Sequence, residues 1–308
     1  MDIDQIISDF LSESHETGQK PLLVVLGGTA SGKTALSVKV AGKFNGEIIS
    51  TDSRQGYKYM DIATAKIKPQ ETEGIPHYMI DIVNPDEEFT LADFVKTAKM
   101  YIEDILRRGK LPILAGGTGL YIRAICENYA IPRIPPNNEL RIQLQKEFEE
   151  NGPEYLYDKL QKLDPEAAEK IHPNNYRYVI RALEIANTGQ KKADLKNEAQ
   201  YNVLKFGIEW DREKLYERID ARAANQIEEG LINETKMLLQ KGYDLSLPSM
   251  SSLGYPEMAK YINGEISLEE ALCTLQQNTR NYAKRQLTWF RREPDVIWIS
   301  GEEVANKN

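Results

Sequence analysis

The chain has 308 residues, with 39 basic against 47 acidic side chains and a formal charge of −8. Hydrophobic residues make up 41% and charged residues 28%, the balance of a soluble protein with material for a sizeable core. Two isolated cysteines and three scattered histidines exclude a disulfide framework and a Cys- or His-based metal cluster, and the acidic balance argues, on bulk charge, against nucleic acid.

Residues 1–20 hold Asp2, Asp4, Asp9, Glu13 and Glu16 and no basic n-region, so no secretory signal is expected. Ile3, Ile6, Ile7, Phe10 and Leu11 fall at helical spacing, either as a short amphipathic helix or as a frayed end. Residues 21–26 (PLLVVL) form the longest apolar run. That run is strand-sized, far short of the roughly 18–20 residues that cross a bilayer. A helix is predicted over 33–44, then strands over 47–50 and 77–83. Thr90, with Asp93 three residues on, caps a helix that Gly109 ends. A strand over 111–115 closes on Gly116-Gly117. Alternating strands and helices predict a parallel sheet with crossover connections.

The texture then changes. Residues 131–136 (IPRIPP) cannot continue a helix. Segments 138–151, 153–163, 165–171 and 174–187 read as helices without strand signals between them. Residues 201–210 return to strand composition, 211–241 and 268–292 are long charged helical stretches, and 295–299 is a last strand. The expectation is therefore an α/β protein: a P-loop parallel-sheet core with a helical insertion domain. The core takes 21–127 and 201–308, the insertion takes 128–200, and 1–20 is an N-terminal extension.

Gly27, Gly28, Thr29, Ala30, Ser31, Gly32, Lys33 and Thr34 fit G-x-x-x-x-G-K-[ST] between a predicted strand and a predicted helix. Such a loop turns backbone N–H groups around phosphate oxygens at a helix N-terminus. Lys33 adds a point charge, and the Thr34 hydroxyl can ligate magnesium. The motif specifies phosphate or pyrophosphate and does not specify ATP. Asp52 ends the 47–50 strand, on the rim where a parallel sheet gathers its strand ends. It could orient magnesium, act as a general base, or merely cap a turn. Thr118, in the second strand–Gly–helix junction, should face the same crevice, as should Thr64 and Lys66. Each is equally compatible with a plain turn. Arg218 and Arg222 share a helix face and could clamp a leaving phosphate, or pair with Glu217 and Asp220. Residues 279–292 hold Arg280, Lys284, Arg285, Arg291 and Arg292 and no acid, with Tyr282, Trp289 and Phe290 interleaved. Cations with stacking aromatics suit unpaired nucleic acid, although a basic helix end over buried aromatics would look the same.

Several motifs in order resemble one family. They are residues 27–34, STDSRQGY at 50–57 with MDIATAK at 60–66, Pro76-His77 with Asp81-Ile82, and GGTGLY at 116–121. HPNN at 172–175 with RALE at 181–184, LYERIDAR at 215–222 and YAKRQLTW at 282–289 complete the set. Over roughly 21–300 the chain resembles the bacterial tRNA dimethylallyltransferases, or tRNA isopentenyltransferases. The resemblance implies transfer of a dimethylallyl group from dimethylallyl diphosphate to the exocyclic amine of an adenosine. That adenosine lies 3′ of the anticodon in tRNAs reading codons that begin with U. It implies that the P-loop holds the diphosphate with Mg2+ on Thr34. It further implies that Asp52 is the general base, that Thr118 contacts the target nucleotide and that Arg218 contacts the pyrophosphate. Asp52, Ser53, Arg54, Gln55, Thr118, Arg177 and Arg181 match tRNA-contacting positions, and the insertion would clamp the anticodon stem. A cytoplasmic monomer with no membrane partner is expected. Gly56 and Ala63 depart from the family pattern. So do Ser251 and Pro256, where basic residues usually flank Gly-Tyr, and the shortened stretch after Gly189. A small-molecule P-loop kinase, an enzyme prenylating free adenosine phosphates and a non-catalytic binding module remain the rival readings.

Overall fold

The computed structural model describes residues 2–129, 131, 137–189 and 198–306. Most of the Pro-rich 131–136 segment and the stretch after Gly189 lie outside the described residues. The chain divides into two compact units, Met1–Cys126 with Ala199–Asn308, and Glu127–Glu198.

The larger unit is built on a six-stranded sheet of order β3-β2-β4-β1-β5-β6, parallel at every pairing. Its strands are β1 (Pro21–Gly27), β2 (Gly46–Ser50), β3 (His77–Tyr78), β4 (Leu111–Gly116), β5 (Asn202–Glu209) and β6 (Val296–Ser300). Leu22 to Leu26 are fully buried, as a strand covered on both faces requires. Helix α1 (Ile3–Thr17) sinks Ile3, Ile7 and Phe10 into this core, so the N-terminal segment is a packed amphipathic helix. Helix α2 (Lys33–Lys43) follows the phosphate loop, α3 (Leu91–Arg107) starts at the Thr90–Asp93 capping box, and α4 (Gly119–Cys126) follows β4.

The smaller unit packs α5 (Asn138–Asn151), α6 (Pro153–Leu163), α7 (Pro165–Glu169) and α8 (Tyr176–Ala186) around Leu144, Leu156, Leu160, Val179 and Leu183. Glu184 is buried there and accepts from the Asn137 backbone and the Arg141 and Arg181 guanidinium groups.

Two expectations are corrected. The strand predicted over 77–83 stops at Tyr78. Met79 and Asp81 take φ of 66° and 54°, a left-handed turn that places Asp81 against Lys66. Only Val83 regains a single bridge, to Tyr57. The helix predicted over 211–241 is two helices, α9 (Arg212–Glu228) and α10 (Leu231–Gln240), separated at Gly230 with φ 109°. Only glycine enters that region cheaply. A further helix, α11 (Tyr255–Ile262), starts with Pro256 in its first turn, where the missing N–H costs nothing. The long helix α12 (Leu268–Phe290) and the short α13 (Gly301–Asn306) complete the chain.

At the sheet's edge, the Glu47 side chain is 1% exposed and accepts hydrogen bonds from Arg108, Lys110 and Tyr78. The Arg108 guanidinium is the main cause holding this carboxyl at about 2 against an ordinary 4.5. The stabilisation is complete above the unfolded value and disappears as pH falls from about 4.5 toward 2. Glu47→Gln leaves Lys110 without its counter-charge and Arg108 with Asp104 alone, and should cost roughly 3 kcal/mol at neutral pH. Thermal melts of both proteins across pH should show their midpoints converging in acid.

Candidate active site

The phosphate loop joins β1 to α2, as its spacing demands. Ala30 takes φ 59°, and its carbonyl accepts from Arg218 Nε at 2.9 Å. The Arg218 guanidinium also lies 4.4 Å from the Trp210 ring, whose Nε1 donates to the Ser31 carbonyl at 2.9 Å. Lys33 Nζ donates to Gly28 O at 2.7 Å.

Strand order places three loops on one rim. Thr51 N donates to Ala115 O at 2.8 Å, and Thr118 N to Thr51 O at 3.2 Å. The Thr118 hydroxyl accepts from Ser53 N at 3.1 Å. Asp52 Oδ1 accepts from Arg54 N at 2.8 Å, which ties down one carboxylate oxygen. Gln55 accepts from Ser50 Oγ and donates to the carbonyls of Thr64 and Ala65.

A cavity of about 400 Å³ opens between these loops, α9 and α12. Thr29, Lys33, Thr34, Asp52, Arg222 and Tyr282 line it. Gln226 and Arg285 add polar groups, and Ile219, Ala223, Leu253 and Leu275 add an apolar wall. Burial, then Arg222, lowers the Lys33 ammonium to about 8, with Asp52 acting in the opposite sense. Burial also lowers Arg222, opposed by Asp52.

The predicted residues separate in space. Thr29, Lys33, Thr34, Asp52, Ser53, Arg54 and Gln55 meet at the cavity. Of the Arg218–Arg222 pair, Arg222 lines the cavity, while Arg218 braces the outside of the phosphate loop at Ala30. Arg54 is held by Pro248 O at 2.6 Å and Ser251 Oγ at 3.0 Å, so the serine found in place of a basic residue receives this arginine. Lys66 is buried, donates to Tyr57 O and pairs with Asp61 and Asp81, which makes it a loop anchor. Thr64 and Ala65, its neighbours, do line the cavity. In the smaller unit Arg177 is exposed, whereas Arg181 is engaged with Glu184.

Sequence reasoning passed over Thr279 and Gln286, which line the cavity beside Tyr282. Leu275, Thr279, Tyr282 and Gln286 recur at helical spacing on one face of α12, a signal that periodicity alone contained. The basic segment is also less charged than its composition implies. Arg280 pairs with Asp220, and Arg291 with Glu209. Lys284, Arg285 and Arg292 have no carboxylate partner among the described residues, and with Arg123, Thr288 and Trp289 they line a second depression of about 460 Å³.

A cation-lined phosphate cradle facing a strand-end aspartate on a parallel sheet defines a P-loop protein of the α/β class. A family model described as IPP transferase matches residues 55–293. A tRNA dimethylallyltransferase of Acetivibrio thermocellus is 50% identical over 288 residues, covering 92% of each chain. The crystal structure of a tRNA isopentenylpyrophosphate transferase from Bacillus halodurans is 43% identical, covers 94% of each chain and has a TM-score of 0.70. A eukaryotic dimethylallyltransferase, captured in crystallographic snapshots acting on tRNA, is 32% identical with a TM-score of 0.78, covering 92% of this chain and 74% of that one. The chain belongs to the tRNA dimethylallyltransferase (IPP transferase) family.

The Lys33 environment has a measurable consequence. Below about 8 the ammonium is charged and an anion binds without proton uptake; above it, binding must recruit a proton. Pyrophosphate affinity should therefore weaken about fivefold between about pH 8 and about pH 9 by this linkage. Titration calorimetry checks the slope, which Lys33→Arg should flatten.

Proposed function

We propose that this protein transfers the dimethylallyl group of dimethylallyl diphosphate to the exocyclic amine of the adenosine 3′ of the anticodon, in tRNAs that read codons beginning with U. The observation that carries this reading is the composition of one cavity. Lys33 and Arg222 offer cations for a diphosphate, Asp52 offers a carboxylate for an amine proton, and an apolar wall suits a five-carbon chain.

The diphosphate occupies the phosphate loop, where the N–H groups of residues 27–34 and the α2 N-terminus face its oxygens. The adenine amine attacks C1 of the dimethylallyl group. The N–C1 bond forms as the C1–O bond breaks, and pyrophosphate leaves with the electron pair. The displaced amine proton passes to the Asp52 carboxylate. An exocyclic amine is a weak nucleophile, so alignment and a base at the amine both lower the barrier. Lys33 and Arg222 stabilise charge that grows on the leaving pyrophosphate. Arg218 keeps the phosphate loop in shape from outside. Thr118, with its hydroxyl fixed by Ser53, contacts the target nucleotide.

A divalent cation fits the donor set. Among the described residues the exposed Thr34 hydroxyl has no protein hydrogen-bond partner, and Asp52 lines the same cavity. No cluster of three or more His, Cys, Asp or Glu exists among the described residues. That pattern suits Mg2+, which binds through few protein oxygens plus substrate phosphates. Thr34 and Asp52 would hold it, and it would supply further neutralisation of the leaving group.

The base must leave the anticodon stack to enter the cavity, at a cost of a few kcal/mol. Arg54 and Gln55 at the cavity, Lys284 and Arg285 on α12 and Arg292 just beyond it, none with a carboxylate partner among the described residues, and Arg177 on α8 are the cations and polar groups we assign to RNA. No helix among the described residues is long and apolar enough to cross a membrane. We place the reaction in the cytoplasm, with the tRNA pool.

Labelled dimethylallyl diphosphate with an anticodon stem-loop RNA and Mg2+ tests the assignment. Label should appear on the RNA. Asp52→Ala should lower kcat by about 10²–10⁴-fold while pyrophosphate still binds. Label on free AMP in a parallel arm, or turnover of ATP with no prenyl transfer, would refute the reading.

A further inference from the structure

Gln286 sits on α12, 6% exposed, between two loops that reach the cavity from different strands. Its Oε1 accepts from Thr29 N at 2.8 Å, in the phosphate loop after β1. Its Nε2 donates to Gly117 O at 2.9 Å, in the loop after β4 that carries Thr118. The approach at Gly117 tolerates no side chain: a Cβ there would collide with Gln286 Nε2. One turn earlier, Tyr282 interacts with Gln286 and faces Asp52.

Only an amide of this length serves both contacts. A carboxylate would present an acceptor to the Gly117 carbonyl, and an apolar side chain would leave a buried donor and a buried acceptor unmade. The parallel pairing of Leu26 with Gly116 registers β1 against β4. Beyond that pair the two loops leave the sheet, and the amide is their bridge.

We infer that Gln286 is a positioning residue: its single amide sets the spacing between the loop that holds the donor diphosphate and the loop that places the acceptor through Thr118. This rests on the prenyl-transfer reading above. Displacement at C1 requires donor and acceptor in line at contact distance, and a misplacement of about 1 Å can cost roughly a hundredfold in rate. Gln286 touches neither reacting atom, so its effect falls on alignment more than on the affinity of either substrate.

The test compares wild type with Gln286→Met, which keeps length and volume but neither polar end, and with Gly117→Ala, whose methyl pushes the amide away without changing it. For each protein, kcat for transfer to the stem-loop is measured at saturating substrates. Pyrophosphate and stem-loop affinities are measured separately, and so is the thermal midpoint. Both variants should lose roughly a hundredfold in kcat, with each separate affinity close to wild type and the protein still folded at the assay temperature, its midpoint lowered by no more than the few degrees that unmet buried hydrogen-bonding groups cost. Gln286→Glu should lose kcat and also bind pyrophosphate more weakly, because its charge lies beside the phosphate loop. Full kcat in Gln286→Met, with wild type active, overturns the inference and leaves the function standing. A kcat loss that disappears when the assay is repeated well below each variant's midpoint, or that is matched by loss of one substrate's affinity alone, overturns it in favour of a structural or binding role. A wild type that transfers nothing to RNA overturns the function and this inference with it.

Discussion

Everything chemical in this molecule depends on one parallel ladder. β2, β4 and β1 are neighbours, and their C-terminal ends release residues 51–55, 116–118 and 27–34 on the same rim. The pairings Ser50 with Ala115 and Leu26 with Gly116 fix where each loop departs. Main-chain bonds from Thr51 to Ala115 and from Thr118 to Thr51 carry that order one step past the strands. An interior packed as densely as Leu22 to Leu26 transmits little slack. Asp52 and residues 27–34 therefore inherit their separation from backbone geometry, and side chains have only the final alignment to settle.

The second constraint is electrostatic. Lys33 and Arg222 share a cavity partly withdrawn from water, with Asp52 as the nearby counter-charge. Burial disfavours both cations, and each disfavours the other. A diphosphate relieves that penalty, and pyrophosphate carrying the charge of the broken C–O bond relieves it further. In the reaction proposed above, that positive charge would stand where negative charge grows, which is how fixed groups favour a transition state over the bound donor. Arg218 does not share this role. Its stack on Trp210 and its bond to the Ala30 carbonyl keep a left-handed residue of the loop in place.

Signals of short range are legible in the amino-acid sequence. The phosphate loop, the Thr90–Asp93 cap and the strand that leads into Asp52 each depend on neighbours a few residues away, and each sits where the spacing implies. The assignments that shifted depend on partners far along the chain. Arg218 and Arg222 look alike four residues apart, and the packing of α9 decides which one enters the cavity. Arg280 and Arg291 count toward a basic segment until Asp220 and Glu209, some 60 to 82 residues away, neutralise them. Arg54 is oriented by a turn nearly 200 residues downstream and still lines the cavity. Charge counting along a sequence finds cations, but only the fold says which remain unspent for RNA.

The wall opposite the phosphate loop follows from a buried carboxylate. Glu234 on α10 accepts from the backbone N–H of Asp61, Ile62 and Ala63 and from the Tyr255 hydroxyl. Gln226 binds the carbonyls of Ile62 and Ala63 from the other side. A carboxylate this deep is costly unless its lone pairs are met, and here four donors meet them. The arrangement fixes main chain, so the segment can present small side chains, Ala63 and Ala65, to the cavity without needing large ones for anchorage. Ala63, found where the resemblance leads one to expect glycine, faces the cavity with its methyl group, adding apolar surface beside Ile219, Ala223 and Leu253.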